Sequence, residues 1–443
     1  MNKYLRKLLK IAVPLMISNV IAQVQMLIDR IFLGQMNTLY MSALGNVNTP
    51  LWMSMSVCFT LVTGASILIS QNVGADDKDN IHSYAASMFK WNNVLPVLMF
   101  FFWFFFGEHV FKLLGVSESI MPYCKGYVRY FAPIYLIVGI EGSFNVIMQT
   151  SNYTKPLVYF GALRAGLNII LDYIMIFGKF GFPEMGIEGA AMATTISEYA
   201  GLLLTVHIVI KSKELFTRPS LKSIIRSPLK PFLTSAKLGI NVAVEDFVWN
   251  LGNLAIIRIL NSINELAAGI YSIVLSIEII VVVLVVSLGN ATMTLTGEAR
   301  GNRNLKQFRE ICKIAYLACI GITTVSLAVS LAIPQLLLSL FTKDTAIITG
   351  CGIYLALISF NLYGKSANII IGNGIRGSGN TIWMLKTQFL GLAFIVGFCS
   401  LFVYVFNWGI AGVFLAVIVD EIARALINFA KLKGIMKHWD SLK

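Results

Sequence analysis

The sequence predicts an all-α integral membrane protein, with twelve transmembrane helices in two pseudo-symmetric six-helix bundles. Three observations point there: an apolar composition, twelve long hydrophobic stretches, and an internal repeat. Of the 443 residues, 57% are hydrophobic and only 13% charged, with a mean hydropathy of +0.75. Soluble domains carry about 25% charged residues, so this chain has too little polar surface to coat a particle in water. A span needs about 20 apolar residues to cross roughly 30 Å of hydrocarbon. Twelve stretches qualify, at about 11–34, 47–71, 88–114, 126–150, 157–178, 187–210, 232–260, 266–296, 311–341, 350–373, 382–407 and 410–432. Only short loops separate them.

The net charge of +13 could suggest a nucleic-acid partner, but its distribution excludes one. Numbering the loops from the N-terminus, basic residues crowd on one side: Lys3, Arg6, Lys7 and Lys10, then Lys211, Lys213, Arg218, Lys222, Arg226 and Lys230. The same side receives Arg300, Arg303, Lys306, Arg309 and Lys313, and a tail with Lys431, Lys433, Lys437 and Lys443. The opposite loops hold little beyond Lys112, Lys125, Lys179 and Lys343. Positive loops stay inside, so both termini are expected in the cytoplasm and the chain in a bacterial-type inner (plasma) membrane. An even number of spans demands the same. The first stretch lacks a small-residue cleavage site and runs into a full-length span, so it reads as a helix and not as a removed signal. Cys58, Cys124, Cys312, Cys319, Cys351 and Cys399 are scattered without a CxxC pair, which reads as apolar packing.

Sliding the chain against itself gives matches at a nearly constant offset. Gly74 matches Gly301 and Thr154 matches Thr381, both 227 residues apart. Gly186-Ile187-Glu188-Gly189 then meets Gly409-Ile410-Ala411-Gly412, and Glu198 meets Glu421, both at 223. One change of four residues in the loop after the fifth span explains the difference. Six spans per half give both halves the same orientation, related by an axis along the membrane normal. The expected layout is an N-terminal lobe at 1–213, a cytoplasmic linker at 214–231 with Pro219 and Pro228, and a C-terminal lobe at 232–443. Two such lobes enclose a cleft, and rocking between them gives alternating access.

A charge at mid-bilayer costs about 2.5–3.5 kcal/mol on insertion scales, so each one in a span calls for a reason. The candidates are Asp29, Arg164, Asp172, Glu198, Glu245, Asp246, Arg258, Glu278, Lys365, Asp420 and Glu421. At about 1.5 Å rise per residue, Asp29 lies ~7–8 Å, Asp172 ~9 Å and Thr194 ~10 Å inside the outer ends of the first, fifth and sixth spans. Asn168 and Asp172 are four apart and share a helix face. Two carboxylates, an amide and a hydroxyl thus fall at similar depth. Asp29 and Asp172 could hold a sodium ion as its metal site, or take up a proton; structural acids with hydroxyl or Arg164 partners are the alternative. Glu245, Glu278 and Lys365 each lie ~18–22 Å along their helices. A buried lysine wants a carboxylate, so one of the two glutamates is its expected partner. That pair either locks one lobe or touches the substrate. Glu198, Asp420, Glu421 and Arg424 read as pairs inside bundles.

Enzyme motifs fail. Gly364-Lys365-Ser366 ends like a phosphate loop but has Ser359 where that motif needs glycine. His82, His109, His207 and His438 lack metal-ligand spacing. No cofactor is expected, and the energy source is an ion gradient or a partner protein. Tyr173, Phe177, Phe247 and Trp249 could stack on flat cationic ligands. The expected partners are small organic molecules and the bilayer, with the chain acting as a monomer.

Several of these segments resemble the multidrug and toxic compound extrusion (MATE) family. They are Pro14 with Ile28-Asp29-Arg30-Ile31-Phe32-Leu33-Gly34, Asn168-Ile169-Ile170-Leu171-Asp172 followed by Gly186 to Thr194, and the loop Ile375-Arg376-Gly377-Ser378-Gly379-Asn380-Thr381. The resemblance covers the whole chain. It implies the MATE/MOP-type fold and an antiporter that exports small organic, often cationic, amphiphilic compounds against inward H+ or Na+. It implies a cation site like that of the DinF-like branch, on Asp29, Asn168, Asp172 and Thr194. The NorM-like branch adds a seventh-helix glutamate and a tenth-helix aspartate; Trp249 and Lys365 stand at those positions here, so that second acidic site is missing. A flippase for lipid-linked oligosaccharide, from the same superfamily, is the other reading, kept open by Arg30, Arg164, Arg258 and Lys365.

Overall fold

The computed structural model describes residues 3–439 apart from 265, 342 and 343; Lys343 and Lys443, counted above among the loop charges, lie outside the described residues. Twelve long helical segments follow one another: α1 Lys3–Met36, α2 Thr38–Gly74, α3 Lys78–Leu113, α4 Met121–Thr150, α5 Lys155–Ile176 and α6 Gly186–Lys211. The second set is α7 Leu229–Ile263, α8 Ala267–Gly301, α9 Leu305–Ala332, α10 Gly352–Gly377, α11 Thr381–Val405 and α12 Gly409–Lys437. Among the described residues there is no strand. In hydrocarbon every backbone N–H and C=O must be satisfied within its own segment, which leaves the helix as the open-chain solution. Nine of the twelve are both long and apolar enough to cross a membrane. The other three, α7, α10 and α12, are as long but carry ionisable side chains in their middles, among them Glu245, Lys365, Asp420 and Glu421.

Most helices overshoot their apolar stretch at one end or both, because polar flanks continue the helix; α9 instead stops at Ala332, short of the expected 341, where Pro334 opens a separate short helix, Pro334–Ser339. The overshoot has consequences at two places. Residues 375–377, read from the sequence as part of a loop, form the last turn of α10, so Arg376 is a helical residue. The segment expected to be linker contains a short helix, Leu221–Arg226, capped by Ser220, and α7 begins within it at Leu229.

The repeat is visible in the backbone. The helix ends Met36 and Ile263, Gly74 and Gly301, and Thr150 and Gly377 are each 227 residues apart. Left-handed backbone recurs at the same offset: Asp76 with Arg303, Asn152 with Gly379, Phe180 with Asn407. Helix caps recur too. Asp77 accepts from the Asn80 amide, and Asn304 from that of Gln307; the donated N–H holds the exposed Asp77 carboxyl below the ordinary carboxylate range. Gly186 and Gly409, both left-handed, open α6 and α12 at an offset of 223. The four missing residues therefore fall between Phe180 and Gly186 on one side, and Asn407 and Gly409 on the other.

The chain divides into two compact units, one of Val13–Ile69 and Asp77–Ile240, the other of Met1–Ala12, Ser70–Asp76 and Asn241–Lys443. In the first, a buried core draws Leu33, Val47, Phe111, Tyr135, Ile176 and Ile187, one from each of α1 to α6. In the second, Ile256, Val274, Leu355, Cys399 and Phe414 come from α7, α8, α10, α11 and α12. All six cysteines are buried and free. Within lipid, close packing rather than water exclusion holds helices together, and small residues let backbones approach. Gly189 does this between α5 and α6: a Cβ there would lie 2.7 Å from the Met175 carbonyl oxygen. That approach brings the functional faces of α5 and α6 together.

Candidate functional site

In the first unit, the carboxyl groups of Asp29 on α1 and Asp172 on α5 face each other within interaction range. Ionised carboxylates are acceptors alone, so a hydrogen bond between the two requires a proton on one of them. Asp172 is fully buried, and its Oδ1 has no hydrogen-bond partner. One turn before it, Asn168 is also fully buried. With its amide nitrogen turned to the carboxylate, Asn168 donates to Asp29 Oδ1 at 2.9 Å and accepts from the Thr194 backbone N–H at 3.2 Å. The Thr194 hydroxyl lies 3.4 Å from the same amide and donates to the Ala190 carbonyl at 2.9 Å. Asp29, Asn168, Asp172 and Thr194 are thus brought together by three helices. Their oxygens are hard ligands suited to a proton or a small alkali or alkaline-earth cation, and offer nothing to a soft metal.

Two neighbours were not singled out from the sequence. Gln25, one turn before Asp29 on α1, places its amide 2.8 Å from that of Asn168; the i−4 spacing was the available signal. Tyr127 on α4 is buried within electrostatic range of both acids and of Arg30, and nothing in its local sequence marks it.

The same α5–α6 interface continues. Arg164, one turn before Asn168, reaches Glu198 at 3.1 Å and Glu141 on α4 at 3.4 Å. Its Nε is buried without a partner. Glu198 lies one turn beyond Thr194 on α6. Glu141, an ionisable residue inside the fourth span, carried a signal that the sequence reading passed over.

The second unit repeats the geometry with different chemistry. Counting along the repeat, Asp29, Asn168, Asp172 and Thr194 correspond to Ile256, Ile395, Cys399 and Val417, and all four sit in one buried apolar cluster. The acidic site has a dry twin. Other ionisable groups of this unit are paired: Lys365 with Glu278 at 2.7 Å, and Arg376 with Glu245 at 2.5 Å. Glu278 is therefore the partner that the sequence reading sought for Lys365, and Glu245 belongs to Arg376 at the end of α10. On α12, Arg424 grips Asp420 through Nε at 2.9 Å and Nη2 at 2.6 Å, and touches Glu421 at 3.2 Å and Gln388 at 3.2 Å. Asn368 donates to Glu421 at 2.6 Å and accepts from Asn428 at 3.0 Å.

Of the aromatic candidates, Phe177 is half-buried against the first core and meets the rings of Phe32 at 5.7 Å and Tyr173 at 5.9 Å. Tyr173, Phe247 and Trp249 are exposed.

A body of long helices, nine of them apolar enough among the described residues to cross a membrane and several carrying ionisable groups within them, is that of a polytopic membrane protein. The MatE family model matches residues 14–174 and 242–408, one segment in each half. The chain belongs to the MatE family. Among similar proteins, a probable multidrug resistance protein NorM from Thermotoga maritima is 28% identical over 442 residues, covering 96% of this chain and 91% of the relative. The uncharacterized transporter YisQ of Bacillus subtilis is 24% identical over 409 residues, covering 92% and 89%. The fold matches an outward-facing multidrug resistance MATE family transporter of the MOP superfamily with a TM-score of 0.91 at 19% identity, covering 99% of this chain and 97% of that one.

Proposed function

We propose that this chain is an ion-coupled antiporter that exports small organic, often cationic, amphiphilic compounds by rocker-switch alternating access of lobes 1–213 and 232–443. The observation that carries the reading is the Asp29–Asp172 carboxyl pair, with a half-buried Asp29 facing a fully buried Asp172 between α1 and α5, ringed by Asn168 and Thr194. Two acids that share one proton form a compact site with variable charge. Losing the proton leaves like charges in contact, which is relieved by taking up a cation or by moving α1 away from α5. Binding and helix position are thereby linked, and such linkage is what antiport requires. The relatives named for multidrug resistance support the substrate class. Tyr173, Phe177 and Trp249 are assigned to ligand contact. Glu245, Glu278 and Lys365, each engaged inside its own unit, are assigned to bracing the lobe. The engagement of Arg164 and Lys365 in ion pairs also favours this reading over a lipid-linked oligosaccharide flippase, which needs uncommitted cations. We place the protein as a monomer in a bacterial inner membrane with both termini cytoplasmic.

Vesicles containing the protein test this directly. Export of an ethidium-like dye is expected to depend on an imposed ion gradient and to stop when the gradient is collapsed. Varying sodium at fixed pH, then pH without sodium, identifies the ion, because the same four ligands accept either. Dye flux indifferent to both ions would overturn the coupling.

A further inference from the structure

Each half contains an arginine paired with a carboxylate of its last helix, Arg164 with Glu198 and Arg424 with Asp420 and Glu421, but the two halves supply it from different helices. Along the repeat, Glu141 corresponds to Asn368 and Glu198 to Glu421. These positions meet in both halves: Glu141 and Glu198 share Arg164, and Asn368 donates to Glu421. Arg164 on α5 corresponds to Gly391 on α11. Gly201 on α6 corresponds to Arg424 on α12. Arginine and glycine have exchanged places.

In both halves the glycine faces the arginine stem, closely in the second half and at ordinary contact distance in the first. A Cβ on Gly391 would lie 2.6 Å from Nε and 2.7 Å from Cδ of Arg424, so the guanidinium stem fills the volume over that glycine. On Gly201 a Cβ would lie 3.7 Å from Cβ and 4.0 Å from Cδ of Arg164. Gly391 therefore makes the room for Arg424, while Gly201 lies in ordinary contact with the Arg164 stem, facing it across the same helix pair. A carboxylate buried in a bundle needs a paired cation, but the pairing energy does not depend on which helix carries the stem.

We propose that each bundle requires a single guanidinium between its last two helices, facing Glu198 or Glu421, and that the helix supplying it is interchangeable. In the first unit this ion pair is also a positioning device. Arg164 is one turn from Asn168 on α5 and Glu198 one turn from Thr194 on α6, so their bond sets the register in which Asn168 meets Thr194. The positioning role rests on the antiport reading above; the interchange of helices does not.

The test is a four-member cycle of wild type, Arg164→Gly, Gly201→Arg and Arg164→Gly/Gly201→Arg, purified in detergent and reconstituted in vesicles. Each single variant is expected to lower the unfolding midpoint by roughly 10 °C, one by orphaning two glutamates and the other by crowding two guanidinium groups. The double variant should recover most of that loss, or insert where a single fails to. For efflux, the ion concentration at half-maximal rate should rise roughly tenfold in Arg164→Gly, the equivalent of about 1.4 kcal/mol, and return towards wild type in the double. A double variant no more stable than the worse single would overturn the interchange. Recovery of stability, with half-saturation unmoved in Arg164→Gly, would overturn the positioning role. If wild type shows no gradient-driven flux, the antiport reading falls while the unfolding cycle still decides the interchange. Gly391→Arg with Arg424→Gly repeats the test in the second unit.

Discussion

Replacing Asp172 by asparagine is expected to reduce gradient-driven dye efflux to the level of protein-free vesicles, in a protein that still inserts and unfolds near the wild-type temperature. Asparagine has the shape of the aspartate and can still donate to Asp29, so the α1–α5 contact survives. It cannot gain or lose a proton and brings no charge to a cation. The contact would then be frozen in the arrangement that a single shared proton would give. Asp29→Asn should behave alike, because the pairing is reciprocal. Thr194→Ala should do less, since the threonine hydroxyl is committed to the Ala190 carbonyl. Wild-type efflux from a well-inserted Asp172→Asn variant would remove this pair from the coupling mechanism.

The second large effect is on stability. Lys365→Met leaves Glu278, whose side chain is 4% exposed, without its cation. Removing one partner of a buried pair costs about 3–5 kcal/mol, whereas replacing both by apolar groups of similar volume is often neutral. Lys365→Met is therefore expected to unfold well below wild type, and Lys365→Met/Glu278→Leu close to it. The interaction energy of the cycle, read from detergent unfolding, should account for most of the single-variant loss. Additive effects in the cycle would show that the two side chains are not a working pair. Efflux by the double variant then separates bracing from ligand contact.

Much of the architecture could be read in advance, for definite reasons. Spans are long and apolar because lipid demands it, and the repeat shows through glycines and caps that the backbone cannot do without. The 223-residue offset of Gly186 and Gly409 located the deletion to one loop, and the left-handed residues Phe180 and Asn407 now bracket it. The juxtaposition of Asn168 and Asp172 followed from helical spacing, and that of Asp29 from depth alone. Tertiary choices were less legible. Glu245 and Glu278 lie at similar positions along their helices, so depth could not say which one Lys365 selects. The decision rests on Arg376, which becomes available to Glu245 only because α10 runs on to Gly377. Tyr127 joins the acids through the packing of α4, which no local pattern records.

The apolar twin of the acidic site limits what the molecule can spend per cycle. Ile256, Ile395, Cys399 and Val417 offer a coupling ion no ligand, so on the proposed mechanism the ion load resides in the N-terminal half, and two carboxylates set its ceiling. One elementary charge crossing 100 mV releases about 2.3 kcal/mol, enough for roughly fifty-fold accumulation of an uncharged compound at about 1.4 kcal/mol per decade. One-for-one exchange with a monovalent cationic drug moves no net charge, so its gradient would need both acids to be loaded in each turnover, or a chemical ion gradient.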